Sequence, residues 1–205
     1  MIALFGGTFD PIHNGHLHVI KELLGSKRFE KIIVIPSGDP QLRAVPIASS
    51  KDRLAIVQLA IADLKLGDLV EVSDYEITKD EPSFAIDTVR YFKKIYPDQE
   101  LSWIIGSDAY SKIDQWRESE ALRQLISFIV IERPAVESSR GAGAGATKDQ
   151  EDDDGYDSYG YEDIDALSIS ATDIREKLSK HESIADLTAQ SVERYIIERN
   201  LYGSA

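Results

Sequence analysis

The densest group of chemically useful side chains lies near the N-terminus, in Gly6-Gly7-Thr8-Phe9-Asp10-Pro11-Ile12-His13-Asn14-Gly15-His16. Two adjacent glycines present no side chain, so a bound group can come close to the backbone. From Gly15 onward the residues take helical spacing, which aims free N–H groups and the positive end of a helix dipole at the same place. That combination is an anion site. His13 and His16, three residues apart, project to one side and can donate hydrogen bonds to phosphate oxygens. As ligands of a metal ion they lack a third His or Cys nearby, so the sequence supplies no metal site of its own. A second cluster, Ile169-Ser170-Ala171-Thr172-Asp173-Ile174-Arg175, repeats the logic. Ser170 or Thr172 suits a helix N-cap and Arg175 falls in the first turn, so hydroxyls, N–H groups and a guanidinium form a second phosphate cradle. Taken singly, each residue has an ordinary reading as a turn glycine, a surface histidine or a capped helix start.

Two such clusters need a frame that brings them together. Ile2 to Phe5 is a short apolar run stopped by the glycines, a buried strand entering a tight turn. Leu17, Ile20, Leu23 and Leu24 recur at helical intervals until Gly25-Ser26. Lys31–Pro36, Val70–Val72, Leu101–Ile105, Ser127–Ile131 and Leu167–Ile169 read as further strands. Asp52–Leu64, Ser83–Tyr96, Ser119–Leu125, Ala171–Leu178 and Ser191–Arg199 read as helices. Near-continuous apolar strands alternating with helices predict a doubly wound, Rossmann-like α/β fold. Its mostly parallel sheet is covered by helices on both faces, and a small C-terminal helical part spans 171–200. In such a sheet the ligand crevice opens at the ends of the strands, where Gly6–His16 falls.

At 205 residues the chain is expected to form one domain, 1–205. Within it, 136–165 loses all periodicity. It passes through Ser138-Ser-Arg-Gly-Ala-Gly-Ala-Gly-Ala146 into nine acids between Asp149 and Asp165 with no base. With so little to bury, it reads as a loop or insert. Asp152, Asp154 and Gly155 do not begin a calcium loop, because the register that fits Gly155 puts Gln150 and Tyr161 where ligating carboxylates belong. The net charge is −13, of which that stretch carries −9, so the body is only mildly acidic and offers no basic face to nucleic acid. No apolar run approaches the roughly 18 residues of a membrane span. The first residues lack the pattern of a signal peptide, and there is no cysteine. The expectation is a cytoplasmic protein with neither nucleic-acid nor membrane partners; a homo-oligomer is left open.

The two clusters also carry a resemblance. Gly7-Thr8-Phe9-Asp10-Pro11 followed by His13-x-Gly15-His16 resembles the T/HxGH signature of the nucleotidyltransferase superfamily, and Ile169–Arg175 resembles its ISSTxIR motif. Ile105-Gly106-Ser107-Asp108-Ala109 followed by Trp116 is similar to the GxD…W segment of bacterial nicotinate mononucleotide adenylyltransferases. Pro82–Thr88 is similar to that family's helix opening beside the pyridine pocket. Pro36-Ser37-Gly38-Asp39-Pro40 with Arg43, and later Asp52-Arg53, is similar to its segment that meets the mononucleotide phosphate. Asn200-Leu201-Tyr202 fits its ending. The resemblance covers nearly the whole chain outside the insert. Three positions depart from it: Ala85 stands where the family usually has Thr, Ala171 replaces a motif serine, and Arg43 replaces a usual Lys while keeping the charge.

The resemblance implies transfer of the adenylyl group of ATP to nicotinate mononucleotide, giving deamido-NAD and pyrophosphate, a step of NAD biosynthesis. It implies that ATP is held by Gly6, Gly7, Thr8, Phe9, His13, Gly15, His16, Gly106, Asp108, Ser170, Thr172 and Arg175, with His16, His13 and Arg175 as the catalytic groups. It implies that the mononucleotide meets Arg43, Phe84, Ala85, Asp108 and Trp116, the indole stacking on the electron-poor pyridine ring. Mg²⁺ would bridge triphosphate oxygens, held by phosphates and water rather than by a carboxylate cage. The alternatives are the same chemistry on nicotinamide mononucleotide, phosphopantetheine or a small phosphorylated alcohol, and a non-catalytic nucleotide-binding module. Against the last stands the joint presence of His13, His16 and Arg175.

Overall fold

Among the described residues, six parallel strands make a single sheet. β1 (Ile2–Gly7) lies near its centre, between β2 (Lys31–Pro36) and β4 (Leu101–Gly106). β3 (Val70–Val72) continues the sheet beyond β2, and β5 (Ser127–Ile131) then β6 (Tyr159–Tyr161) continue it beyond β4. The helices are α1 (Asn14–Gly25), α2 (Ser50–Leu64), α3 (Ala85–Ile95), α4 (Ser107–Tyr110), α5 (Ser119–Leu125), α6 (Ala171–Ser179) and α7 (Gln190–Glu198). This computed structural model describes residues 1–40, 45–79, 81–132, 159–161, 164 and 167–204, at 159–161 the backbone alone.

The apolar runs are continuous because alternate residues of each strand feed two different cores. Ala3, Phe5, Ile32, Val34, Ile104, Ile129 and Ile131 face one core, completed by residues of α1, α2, α6 and α7. Ile2, Leu4, Ile33, Ile35, Leu101, Trp103, Ile105, Phe128 and Val130 face the other, against Ile86, Val89 and Phe92 of α3 and Leu122 of α5. The doubly wound fold expected from the sequence is the fold observed. In the order β3-β2-β1-β4-β5-β6 the winding reverses between β1 and β4. Chains leaving those two strands diverge, which opens a crevice at their carboxyl ends.

Four local expectations are corrected. β1 does not stop before the glycines but runs through them, Gly6 pairing with Ile35 and Gly7 with Pro36. α3 begins at Ala85, because Ser83 is engaged in a parallel bridge with Pro40 and Phe84 is extended. α2 begins two residues early, at Ser50, since the Ser49 hydroxyl accepts the Asp52 N–H at 3.1 Å and caps it. Leu167–Ile169 is not a strand: the Ile169 N–H turns back to the Leu167 carbonyl at 2.8 Å, which closes a three-residue turn. The last strand is Tyr159–Tyr161, inside the stretch read as an insert, and it pairs with Phe128, Ile129 and Val130. The Gly/Ala run and all nine acidic residues of that stretch lie outside the described residues.

Candidate active site

The loop from β1 to α1 is tied down on every side, mostly through its backbone. Arg53 of α2 donates from Nη1 to the Thr8 carbonyl at 2.7 Å. Arg175 of α6 donates from Nη1 to the Asp10 carbonyl, also at 2.7 Å. The Thr188 hydroxyl donates to the Ile12 carbonyl at 3.1 Å. The Asp10 carboxylate is buried and filled: Oδ1 accepts from the Ala48 N–H at 3.1 Å and the Tyr202 hydroxyl at 2.8 Å, and Oδ2 from the Ile47 N–H at 2.8 Å. Asp10 therefore organises the loop and is not a free acid or metal ligand.

The glycines have a different reason from the one the motif suggests. A Cβ on Gly6 would collide with the Trp103 indole of β4, and one on Gly7 would lie 2.9 Å from the Phe9 ring. One on Gly15 would lie 3.0 Å from Nδ1 of His13. The space they leave is taken by aromatic rings of the protein itself. The helix start is likewise partly spent, since the Asn14 N–H donates to the Leu187 carbonyl at 2.8 Å.

His13 and His16 do face one way, as their spacing predicts. Their rings stack with centroids 3.7 Å apart and 30° between planes. His13 is buried at the N-cap of α1, and its N–H approaches Nδ1 of His16 at 3.3 Å. With Nδ1 accepting, the neutral His16 ring carries its proton on Nε2. The Phe9 and Phe5 rings brace His16 edge-on, at 5.1 and 5.9 Å. The Thr8 hydroxyl is buried with no hydrogen-bond partner among the described residues, and so is the Ser37 hydroxyl just beyond β2. An unsatisfied buried hydroxyl costs about 1–3 kcal/mol, which a ligand oxygen would recover.

The second motif meets the first through Arg175. Ser170 is the N-cap of α6, its hydroxyl accepting the Asp173 N–H at 3.1 Å. Exposed Thr172 accepts from Nη2 of Arg175 at 3.2 Å. The clusters at 6–16 and 170–175, far apart in sequence, are thus joined by one guanidinium.

Across the switch point, Gly106 ends β4 and Asp108 sits exposed in the first turn of α4. Half-buried Trp116 packs edge-on against Trp103, with centroids 6.3 Å apart, in the same apolar cluster as Phe84 and Ala85. Trp103 consequently links the Gly6 strand end to the Phe84–Trp116 group. Arg43 lies outside the described residues. Arg53, expected to meet a phosphate, is instead 1% exposed and donates to two backbone carbonyls, those of Thr8 and Gly38. A buried guanidinium that spans the carbonyls of two loops fixes those loops. Sequence reasoning also missed Arg117, whose guanidinium lies 4.7 Å over the Phe84 ring, and the buried Glu76, which accepts the Thr88 hydroxyl. The adjacency of Arg117 to Trp116 was the available signal for the former; the latter has none in spacing or residue type.

Residues 4–177 match the cytidylyltransferase-like family. The protein of Methylacidiphilum infernorum (isolate V4) named a probable nicotinate-nucleotide adenylyltransferase is 36% identical over 211 residues, which covers 98% of this chain and 91% of that one. One of the same name from Clostridium tetani is 34% identical over 201 residues, covering 98% of both. Among solved structures, the Plasmodium falciparum nicotinic acid mononucleotide adenylyltransferase complexed with NaAD aligns with a TM-score of 0.78 at 24% identity, over 100% of this chain and 98% of that one. That likeness concerns the fold.

Proposed function

The chain belongs to the cytidylyltransferase-like family, and on that premise we propose that it transfers the adenylyl group of ATP to nicotinate mononucleotide, releasing pyrophosphate and forming deamido-NAD. The observation that carries this reading is the Arg175 to Asp10 hydrogen bond. It joins the two motifs that would bind phosphate, and Trp103, packed against Gly6 and edge-on to Trp116, connects the first of them to an aromatic group, Phe84 and Trp116, suited to a pyridine ring.

In the proposed reaction a phosphate oxygen of the mononucleotide attacks the α-phosphorus of ATP in line. The bond from that phosphorus to the bridging oxygen breaks, and pyrophosphate leaves. The nucleophile is already an anion, so no general base is required, and the protein contributes position and charge. Nε2–H of His16 donates to the α-phosphate region, with stacked His13 fixing the ring. Gly6, Gly7, Thr8, Phe9, Gly15, Gly106, Ser170, Thr172 and Arg175 line the ATP side. Arg43, Phe84, Ala85 and Trp116 line the mononucleotide side, and Asp108 stands between them. The donors around the triphosphate side are neutral or cationic and the Asp10 carboxylate is filled; among the described residues no group of three metal-ligating side chains occurs. That set fits Mg²⁺ brought by the nucleotide, which would supply neutralisation of phosphate charge without a protein carboxylate to hold it. We place the reaction in the cytoplasm and in one domain, 1–205. No helix among the described residues is long and apolar enough to cross a membrane.

The test is an assay of pyrophosphate release with ATP and, in turn, nicotinate mononucleotide, nicotinamide mononucleotide and phosphopantetheine. Turnover is expected to be fastest with nicotinate mononucleotide. A preference for either other acceptor overturns the substrate assignment, and no turnover with any overturns the enzymatic one.

A further inference from the structure

The proposed reaction leaves unused a set of polar groups buried behind the mononucleotide side. Glu76, in the chain that follows β3, is 5% exposed. One carboxylate oxygen, Oε1, accepts the Thr88 hydroxyl of α3 at 2.6 Å, and the nearby Ser83 hydroxyl and Gly38 N–H favour the ionised carboxylate. Ser83 Oγ in turn accepts the Gly38 N–H at 3.1 Å. The Gly38 carbonyl takes Nη2 of Arg53 at 2.9 Å, and a Cβ on Gly38 would collide with the Glu76 carbonyl. The groups bonded to Glu76 thus sit on the chain entering Phe84–Ala85 and against the loop that follows β2.

Folding alone gives little reason for a carboxylate at this point. Taking one out of water is costly unless hydrogen bonds offset the loss. Thr88 already has a helical alternative, the Phe84 carbonyl at 3.4 Å. What the carboxylate adds is a fixed relation between two loops that no strand pairing joins apart from the Pro40–Ser83 bridge.

We propose that Glu76 is a positioning residue for the acceptor half of the site, holding Ser83, Thr88 and the Gly38 loop so that the mononucleotide meets a preformed wall. The inference rests on the adenylyltransferase reading above, and preorganisation of this kind appears in acceptor binding rather than in ATP binding.

The test is steady-state kinetics of Glu76→Gln, Thr88→Val and Thr88→Ser with each substrate varied. Glu76→Gln and Thr88→Val are expected to raise KM for nicotinate mononucleotide about tenfold, the scale of one lost hydrogen bond to a charged group. KM for ATP stays within about twofold, while Thr88→Ser, which keeps the hydroxyl, behaves as wild type. An equal rise in both KM values, or no rise in either, overturns the proposal. Should Glu76→Gln fail to fold, the contrast between Thr88→Val and Thr88→Ser decides. Wild-type turnover with a different phosphorylated acceptor overturns the substrate assignment alone, and the same KM contrast is then read with that acceptor. Absence of turnover with every acceptor overturns both.

Discussion

Arg175 donates to the backbone carbonyl of Asp10 across 165 positions of sequence. Because the acceptor is a carbonyl, the bond leaves the guanidinium charge uncompensated and sets the distance between the two segments proposed to bind phosphate. The same residue then supplies both geometry and charge, which separates its expected behaviour from that of a surface arginine.

Arg175→Lys keeps the charge but cannot serve the Asp10 carbonyl and the Thr172 hydroxyl with one planar fork. KM for ATP is expected to rise about tenfold and kcat to fall, with Arg175→Ala worse in both. Steady-state kinetics with ATP varied checks this; wild-type values for the lysine variant refute the bridging role.

His16→Ala removes the donor proposed to meet developing phosphate charge. Turnover is expected to drop at least about a hundredfold. Circular dichroism and the melting temperature should change little, since His16 is partly exposed. A variant with undiminished pyrophosphate release would remove His16 from catalysis.

Gly6→Ala sets a methyl group against the Trp103 indole. Overpacking of this kind costs about 1–3 kcal/mol, which for a chain of this size lowers Tm by several degrees. Thermal unfolding measures it, and adding Trp103→Leu should recover part of the loss. An unchanged Tm would mean that the indole moves aside without cost.

Burial pushes the Glu76 carboxyl above its ordinary value of 4.5, in spite of the hydrogen bonds from Thr88 and Ser83 and the charge of Lys79. The folded state then holds that proton more tightly than the unfolded one. The stability so contributed is intact below about 4.5 and is lost as pH rises through the folded-state value. Glu76→Gln has no such dependence. Its Tm is expected to gain on the wild type's as pH rises from 4.5 toward neutrality, and a constant or shrinking difference contradicts this.

Tyr202→Phe deletes one of three donors to the Asp10 carboxylate and leaves the Ile47 and Ala48 N–H groups in place. The expected loss is about 1 kcal/mol, read by denaturant unfolding, with a modest rise in KM for ATP.

Much of the sheet could be read from residue types because its physics is local and periodic. Ile33 and Ile35 face one core and Ile32 and Val34 the other, so a plain apolar run states both strand and burial. Tyr159–Tyr161 escaped because a three-residue edge strand, Tyr-Gly-Tyr, has no such run, and its order comes from pairing with β5. The segments proposed to bind phosphate stood out because their glycines, histidines and hydroxyls are dense in sequence. The reasons behind them were not: whether a glycine admits a ligand or the Trp103 ring is decided by a strand some hundred residues away. Arg53 shows the same limit, since an arginine early in a helix looks alike whether it faces a phosphate or two carbonyls.

The Asp10 carboxylate has a further meaning for how the molecule is made. Its partners are Ile47, Ala48 and Tyr202, so the loop takes one of its hydrogen bonds from a residue 192 positions away in sequence. Contacts of such long sequence separation are slow to close. Until Tyr202 docks, the loop lacks one of the three bonds to its carboxylate, and residues 6–16 should therefore reach full order only with that long-range contact.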